Sequence, residues 1–285
     1  MRKTLHAFAG IAVVICMAAC SGSKNDPKPV VPETNPPLLV VDKGWTFEST
    51  AYFADEFETA GKPNSDKWSY DLGGGGWGNS ELEYYTNGSN VDIADGLLTI
   101  TAKKEALGGM NYTSTRLVSK NTGSMLYGRL EVKAKLPTGT GTWPAIWMLP
   151  DDNAYGDWPR SGEIDLMEMV GFDPNNVHFT LHNQTYNGAN GKGDAKIIST
   201  ASTDYHIYRI DWTPYAIKSY FDGELIYTYV NDNKGSATWP YDKKFHLLLN
   251  IAVGGSWGGQ KGVDDTAFPA KMDIDYVRIY KMIDK

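Results

Sequence analysis

Cysteine is nearly absent from this chain of 285 residues, which contains only two, Cys16 and Cys20. Both lie near the N-terminus, so the rest of the chain has no pair of thiols for an internal disulfide. A cysteine nucleophile and a thiolate metal site are excluded there for the same reason. The stability of the folded part must therefore come from a hydrophobic core.

Long hydrophobic runs are also missing. The N-terminal apolar run, residues 7–17, is too short to span a bilayer permanently. It follows two basic residues and precedes small residues, which is the layout of a secretory signal. The segment Met17-Ala18-Ala19-Cys20 resembles the bacterial lipobox, in which cleavage leaves the cysteine as a lipid-bearing N-terminus. We therefore expect an exported lipoprotein, anchored through Cys20 in the outer membrane; whether it faces the periplasm or the cell exterior stays open.

The segment after Cys20 favours a tether. Residues 21–44 are rich in polar residues and in proline, with Pro at positions 27, 29, 32, 36 and 37. We predict a lipoprotein signal peptide over residues 1–19, a lipidated cysteine and flexible tether over 20–44, and one folded domain over 45–285.

Clusters of lysine and arginine are missing as well. The net charge is −7, and a surface that binds phosphate groups would need clustered basic residues. A nucleic-acid partner is therefore excluded. Nothing in the sequence indicates a second subunit, and we expect a monomer.

No long window of the chain keeps the spacing of an amphipathic helix. Short β-branched and aromatic runs instead recur between clusters of Gly, Asn and Asp. In one of them Leu130, Val132 and Ala134 alternate with charged residues, which is the pattern of a half-buried strand. Runs of this kind occupy residues 91–93, 97–101, 128–135, 208–212, 217–221 and 276–280. They predict one all-β domain, a jelly-roll sandwich of two antiparallel sheets.

Aromatic residues are abundant, with nine Trp and 17 Tyr. Core packing is one explanation, and the stacking of exposed rings on the flat faces of sugars is the other.

Three acids lie close together in an apolar segment. Enzymes cleave glycosidic bonds with two carboxyl groups, about 5–5.5 Å apart when the anomeric configuration is retained. On a regular strand Glu163 and Asp165 share a face, but Glu168 points to the other. A β-bulge between Asp165 and Glu168 would restore the register. The backbones of the two Glu would then lie about 13 Å apart, which leaves retaining and inverting separations both open.

Crowding of these acids would raise at least one pKa and keep a proton available for a general acid. A solvated acidic strand edge is the alternative, but the apolar neighbours Ile164, Leu166 and Met167 disfavour it.

The segment from Gly162 to Glu168 is similar to the signature of glycoside hydrolase family 16, in its laminarinase-like branch with the bulged ExDxxE motif. Further segments match in the same order over about residues 50–281, namely 77–86, 112–116, 141–150, 179–182, 250–257 and 275–280. The resemblance implies a concanavalin A-like jelly roll and a retaining endo-glycosidase. It also implies that Glu163 is the nucleophile, that Glu168 is the acid/base, and that Asp165 hydrogen-bonds the nucleophile.

Other matched residues are implied contacts to substrate. Trp143 and Trp147 would share a strand face and stack on sugar rings, unless they pack in the core; Pro144 weakens this register argument. Asn79 and Arg116 match polar contacts to sugar hydroxyls, with a turn Asn and a surface Arg as alternatives. His182 could orient a carboxylate, contact sugar or be structural, and Trp257 could wall a subsite.

The resemblance further implies one structural calcium ion. Its ligands would be the backbone carbonyls of Glu56 and Gly96 and the carboxylate of Asp275, oxygen donors that suit a hard cation. The chemistry itself needs no metal and no organic cofactor.

Together these features indicate an endo-acting hydrolase of β-1,3-glucan, mixed-linkage β-1,3-1,4-glucan or both. A non-catalytic surface glycan-binding protein, a transglycosylase and a galactan hydrolase are alternatives on the same fold. A binding protein has no need for both Glu163 and Glu168, and product analysis with an added acceptor would identify a transglycosylase.

Overall fold

The computed structural model describes residues 39–284. This range contains nineteen β-strands, numbered below in chain order, and two short 3₁₀ helices, Gly188–Asn190 and Asp265–Ala267. No helix within it is long and apolar enough to cross a membrane. The predicted signal peptide, Cys20 and most of the tether lie outside the described residues, and their assignment stays a prediction.

The first sheet contains seven antiparallel strands. Their spatial order is β13 (Lys192–Ile197), β12 (Asn176–His182), β11 (Glu163–Glu168), β10 (Thr142–Pro150), β17 (Phe245–Val253), β8 (Arg116–Val118) and β3 (Ser69–Asp71). The strand with the three acids, β11, thus lies between β10 and β12.

The second sheet contains eight antiparallel strands. Their order is β16 (Glu224–Val230), β15 (Ala216–Phe221), β14 (His206–Trp212), β9 (Gly128–Lys135), β18 (Ala270–Tyr280), β6 (Leu97–Ala102) and β5 (Val91–Ala94), with β2 (Phe53–Asp55) also paired to β18. All six runs predicted as strands from their composition lie here. Leu130, Val132 and Ala134 are fully buried and their charged neighbours are half-exposed, as the alternation predicts.

Two short strand pairs complete the structure. β1 (Thr46–Phe47) pairs with β19 (Met282–Ile283), which joins the two ends of the described chain. β4 (Glu83–Tyr85) runs parallel to β7 (Tyr112–Ser114). The segment just before β4 bridges to the chain that follows β17, so that this small pair lies at the border of the first sheet.

The core fills the space between the sheets. Ile100, Val132 and Ile274 of the second sheet and Ile146, Ile164 and Leu249 of the first are among its fully buried members. Two antiparallel sheets packed through one apolar layer confirm the predicted all-β jelly-roll sandwich.

One face of the first sheet points away from this core, and we call it the site face. In β17, Leu247, Leu249 and Ile251 belong to the core, so the alternate residues, Asn250 among them, face the other way. The same alternation on β8, β10 and β12 assigns to the site face Arg116, Trp143, Trp147, His178 and His182.

Candidate active site

A β-bulge at Leu166 brings Glu168 onto the site face. In the pairing of β11 with β10, Asp165 and Met167 lie opposite neighbouring residues, so that Leu166 is the extra residue. Leu166 and Met167 both belong to the core. Two consecutive inward residues shift the alternation by one, and Glu163, Asp165 and Glu168 therefore share a face. The register shift between Asp165 and Glu168 also appears against β12, which confirms the predicted bulge.

Each of the two glutamates accepts a hydrogen bond from an indole. Trp158 Nε1 donates to Glu163 Oε2 at 2.6 Å. Trp143 Nε1 donates to Glu168 Oε1 at 2.9 Å. Trp143 belongs to the neighbouring strand β10, whereas Trp158 comes from the loop before β11 and is 54% exposed. Each ring therefore holds one carboxyl oxygen of its glutamate.

Asp165 lies between the glutamates and beside a histidine. Only 2% of its surface is exposed, and its Oδ2 lies 3.2 Å from His182 Nε2. His182 is directly opposite Glu163 in the pairing of β11 with β12. The structure therefore gives His182 the carboxylate-orienting contact that was one of its predicted roles.

Among the described residues, Glu163, Asp165 and His182 are also the one group of His, Cys, Asp or Glu residues with the layout of a metal site, with ligand atoms within 4.8 Å of one another. A cation bound there would neutralise the charge of Glu163. The same cluster therefore suits either a metal or a carboxylate nucleophile, and the contacts of Glu168 favour the second use.

Burial raises the pKa of all three acids. The pKa of Glu163 rises to about 8, through burial and then the charge of Asp165. The pKa of Glu168 rises to about 7, because burial outweighs the opposing hydrogen bond from Trp143. Burial and the charge of Glu168 raise the pKa of Asp165 well above its usual range. Groups this close titrate together, so the site retains protons near neutral pH, as a general acid requires.

Three packed aromatic rings lie beside Glu168. The rings of Trp143 and Trp257 meet edge to face with their centroids 5.6 Å apart. The His178 ring packs against Trp257 in the same manner at 5.0 Å, and His178 lies opposite Glu168 in β12. Neither Trp143 nor Trp257 belongs to the hydrophobic core. Their faces and edges are therefore available to line a cleft at the acid/base candidate.

Arg116 occupies a slot between two indoles. Its guanidinium carbon lies 4.6 Å from the centre of the Trp147 ring and 4.9 Å from that of Trp77. Its Nε lies 3.0 Å from a carboxylate oxygen of Asp71, and the residue is only 8% exposed. The alternative of a surface arginine is therefore wrong. Arg116 fixes the tilt of Trp147, which is half-buried on the site face and outside the core.

Asn79 is exposed in the loop that precedes β4. Its side-chain nitrogen donates to Glu81 Oε1 at 3.1 Å, and its backbone carbonyl accepts the N–H of Ser256 at 2.7 Å. Asn79 is therefore connected to the glycine-rich loop that carries Trp257.

Three residues of this region were not identified from the sequence. Trp158 lies in a polar loop whose approach to Glu163 depends on tertiary folding, and a lone tryptophan five residues before the nucleophile candidate was the only signal. The position of His178 on the site face follows from the strand alternation once the bounds of β12 are known. Glu81 lies inside the matched segment 77–86, but its burial at 7% exposure is a tertiary property.

The predicted calcium ligands belong to the second sheet, away from β11. β18 pairs with β2 through Val277 and with β6 through Ile274, so Asp275 lies between the two junctions. Glu56 directly follows β2 and Gly96 directly precedes β6. The carboxylate of Glu56 is engaged by Arg278, which leaves its carbonyl as the available donor. The carboxylate of Asp275 lies 2.7 Å from Lys133 Nζ, a cation that would compete with a metal.

Two carboxyl groups on one face of a bulged strand, in a jelly-roll sandwich, are an arrangement expected of a carbohydrate-cleaving hydrolase. Residues 78–278 match the family model described as glycosyl hydrolases family 16, and the chain belongs to this family.

Relatives agree with this placement. The chain is 49% identical to a beta-glucanase of Rhodothermus marinus over 81% of its own length and 85% of that protein. The crystal structure of the laminarinase from Rhodothermus marinus superimposes with a TM-score of 0.82 at 46% identity, covering 85% of this chain and all of that one. A keratan-sulfate endo-1,4-beta-galactosidase of Sphingobacterium multivorum is 35% identical over 99% of this chain and 68% of that protein.

Proposed function

We propose that this protein is a retaining endo-β-glucanase that hydrolyses β-1,3-glucan, mixed-linkage β-1,3-1,4-glucan or both. The observation that carries the proposal is the bulge at Leu166, which sets Glu163 and Glu168 on one face with an indole donor on each. The similarity to the Rhodothermus beta-glucanase and laminarinase supports the substrate class.

The first step forms a covalent intermediate. A carboxylate oxygen of Glu163 attacks the anomeric carbon of the sugar while Glu168 gives its proton to the glycosidic oxygen. The bond from the anomeric carbon to that oxygen breaks, the leaving chain departs with the proton, and a glycosyl ester of Glu163 remains. The reactive form has Glu163 ionised and Glu168 protonated. A pKa of about 7 allows Glu168 to hold this proton near neutral pH; burial raises the pKa of Glu163 to about 8, and the hydrogen bond from Trp158 opposes that rise and favours the ionised nucleophile within the coupled group.

The second step releases the sugar. Glu168 takes a proton from a water molecule whose oxygen attacks the anomeric carbon, and the ester bond to Glu163 breaks. Two displacements at the same carbon return the original anomeric configuration. The Trp158 N–H stabilises the departing Glu163 carboxylate, because a hydrogen bond to the charged form favours that form.

Asp165 and His182 keep the nucleophile in place. Asp165 is buried between the glutamates and contacts His182, so its carboxyl can share a proton with Glu163 and tune the charge of the pair. Trp143, Trp147 and Trp257 supply flat apolar surfaces for sugar rings, and Asn79 and Arg116 supply polar groups beside them.

The proposal is tested by digestion of laminarin, barley β-glucan, agarose and keratan sulfate with sizing of the products over time. Early release of mixed oligosaccharides from a β-glucan supports an endo-glucanase. Cleavage of the galactans alone would assign a galactan hydrolase, and transfer of the sugar to an added acceptor in preference to water would assign a transglycosylase. Binding without cleavage of any polymer would leave only a glycan-binding protein.

Azide rescue assigns the two glutamates. In Glu168→Ala, azide should attack the ester of Glu163 and give a β-glycosyl azide. In Glu163→Ala, azide should attack the substrate directly and give the α-glycosyl azide. The opposite pattern would exchange the roles.

We also propose that the chain acts as a monomer, because one chain carries both glutamates and the aromatic surfaces. Gel filtration at the mass of a single chain would support this, and an elution at twice that mass would contradict it.

We propose that one calcium ion binds to the carbonyls of Glu56 and Gly96 and to the carboxylate of Asp275. These oxygens suit a hard cation, and Asp275 lies between the residues of β18 that pair with β2, which Glu56 follows, and with β6, which Gly96 precedes. A chelator should lower the Tm, and added calcium but not magnesium should restore it. An unchanged Tm, together with no calcium in the purified protein, would contradict this site.

We propose that Cys20 carries the lipid anchor of an exported outer-membrane lipoprotein. The basic residues, short apolar run and small residues that precede Cys20 support this proposal. The full chain should partition into the detergent phase, and Cys20→Ser should move it to the aqueous phase. A wild-type protein that is already aqueous would contradict the anchor.

A further inference from the structure

A pair of buried glutamates lies beneath the Asn79 loop. Glu81 is 7% exposed and Glu83 is 0% exposed. A buried carboxyl group costs free energy unless it is paired or hydrogen-bonded, so two of them side by side need an explanation. Neither takes part in the two chemical steps described above.

Glu81 starts a continuous chain of hydrogen bonds. One of its oxygens, Oε1, accepts from Asn79 Nδ2 at 3.1 Å. The other, Oε2, accepts from the Tyr85 hydroxyl at 3.1 Å. That hydroxyl accepts from Asn250 Nδ2 at 3.0 Å, and Asn250 Oδ1 accepts from Trp147 Nε1 at 2.7 Å. The carboxyl group of Glu81 thus connects an exposed amide in a loop to an indole on the site face.

The donors all point in one direction along this chain. An indole N–H can only donate, so Asn250 must turn its oxygen to Trp147 and its nitrogen to Tyr85. The Tyr85 hydroxyl must then donate onward to Glu81. Asn79 turns its side-chain nitrogen to Glu81 Oε1, so its own oxygen is left for a ligand on the exposed side.

Glu83 is the second buried carboxyl group of the pair. Glu83 Oε2 accepts the backbone N–H of Val253 at 2.6 Å. Burial, and then the charge of Glu81, raise the pKa of Glu83 well above its usual range. Both causes favour the protonated form of Glu83, so the pair need not bury two negative charges. The charge of Arg116 lies close enough to act on Tyr85.

We propose that Glu81 is a positioning residue that sets the orientation of Asn79 and Trp147 together. Through it, two substrate-binding groups from different segments keep one mutual geometry, with the Asn79 oxygen presented as an acceptor for a sugar hydroxyl. This inference rests on the proposed glucanase activity. It assigns Glu81 no contact with the reacting atoms, and its effect is therefore on substrate binding more than on the chemical step.

The test is Glu81→Gln, which keeps the shape of the side chain but replaces one acceptor oxygen by a donor. We expect the KM for laminarin to rise about 10-fold, since one hydrogen bond of the chain is lost, and kcat to change by less than about threefold. Tyr85→Phe breaks the chain between Glu81 and Asn250 with little change of volume, and it should raise KM in the same way.

A double-mutant cycle separates positioning from a general loss of structure. If Glu81 acts through both Asn79 and Trp147, the factor by which Glu81→Gln raises KM should be smaller in the Asn79→Ala background than in the wild-type background, because only the Trp147 contribution is left to lose. Additive effects would overturn the proposal. Thr86→Val is the matched control, because it removes a buried hydrogen bond to Asn90 from the same segment without reaching the site face. It should lower the Tm and leave KM unchanged.

Different results would overturn the proposed glucanase function and the positioning role of Glu81. Absence of hydrolysis by the wild-type protein on every β-glucan would overturn the proposed function. An active series in which Glu81→Gln and Tyr85→Phe are folded but have the wild-type KM would overturn the positioning role alone. Should Glu81→Gln fail to fold, the KM of Tyr85→Phe decides the question.

Discussion

The two sheets use their outward faces in opposite ways. On the second sheet, charges of opposite sign face one another, with Arg129 on Asp211 at 2.7 Å and Lys135 on Asp273 at 3.0 Å. On the site face, three acidic residues lie on one strand. Indoles donate hydrogen bonds to the two glutamates, and a histidine contacts the aspartate.

The outward face of the second sheet contributes to stability, whereas the acids of the site face are better explained by function. Opposite charges across neighbouring strands contribute modestly to stability, about 0.2–1 kcal/mol for each pair. Like charges that are buried together oppose folding, and the raised pKa values of Glu163 and Glu168 reflect this unfavourable free energy. A strand that keeps three such acids is therefore explained by chemistry, because the same cost supplies the proton of a general acid.

The largest expected effect is on turnover. Glu163→Ala and Glu168→Ala should each reduce laminarin hydrolysis by about 10²–10⁴-fold or more, because the nucleophile or the proton donor is lost. Arg129→Ala, on the opposite sheet, should lower the Tm and leave kcat within about twofold. Steady-state kinetics and a thermal melt of each variant test this comparison of the two sheets. An Arg129→Ala variant as inactive as the glutamate variants would contradict it.

A smaller effect is expected on stability when an aspartate is replaced by asparagine on each of the two sheets. Asp165→Asn removes a charge that burial disfavours, and should raise the Tm at pH 9 while it reduces activity. Asp273→Asn removes the partner of Lys135, and should lower stability by about 1 kcal/mol or less. Thermal melts of both variants give the signs, and a loss of stability in Asp165→Asn at pH 9 would contradict the description of the site face.

The pH dependence follows from the same acids. Their folded pKa values are raised, so the folded state binds more protons than the unfolded state from pH 4.5 to about 8 for Glu163 and from pH 4.5 to about 7 for Glu168. The contribution of these acids to stability is therefore most favourable below pH 4.5 and declines as pH rises towards 8. Asp165→Asn should flatten this decline in melts recorded from pH 5 to pH 9.

The smallest effect concerns a single hydrogen bond. Trp143→Phe removes the donor that lowers the pKa of Glu168, which should then rise above its present value of about 7. The alkaline limb of kcat/KM should move up by about 0.5–1 pH unit, because one such bond contributes about 1 kcal/mol. Tyr52→Phe, which alters a ring away from β11, serves as the control and should leave the limb in place.

The fold and the reactive strand could be predicted because they rest on local rules. Short runs of β-branched and aromatic residues identified six strands, and all of them belong to the second sheet. The bulge followed from counting faces between Glu163 and Glu168. The other strands of the first sheet gave no such signal, since β17 is buried along its whole length and β10 carries apolar and aromatic residues on both faces.

The remaining features depend on contacts that are distant in sequence. Arg116 lies between two indoles, one of which is 39 residues before it, and nothing near it indicated burial. Trp158 reaches Glu163 from a loop, and the bond from Asn250 to Tyr85 spans 165 positions. Such contacts follow from the packing of the sheets and not from a residue's neighbours.

The central claim is that the bulge at Leu166 makes Glu163 and Glu168 a retaining pair. Proton NMR of the first oligosaccharides released from laminarin, recorded before mutarotation, tests it most directly. The account predicts that the new reducing ends appear as the β-anomer and only later equilibrate with the α-anomer. Initial release of the α-anomer would show an inverting mechanism and would contradict the account.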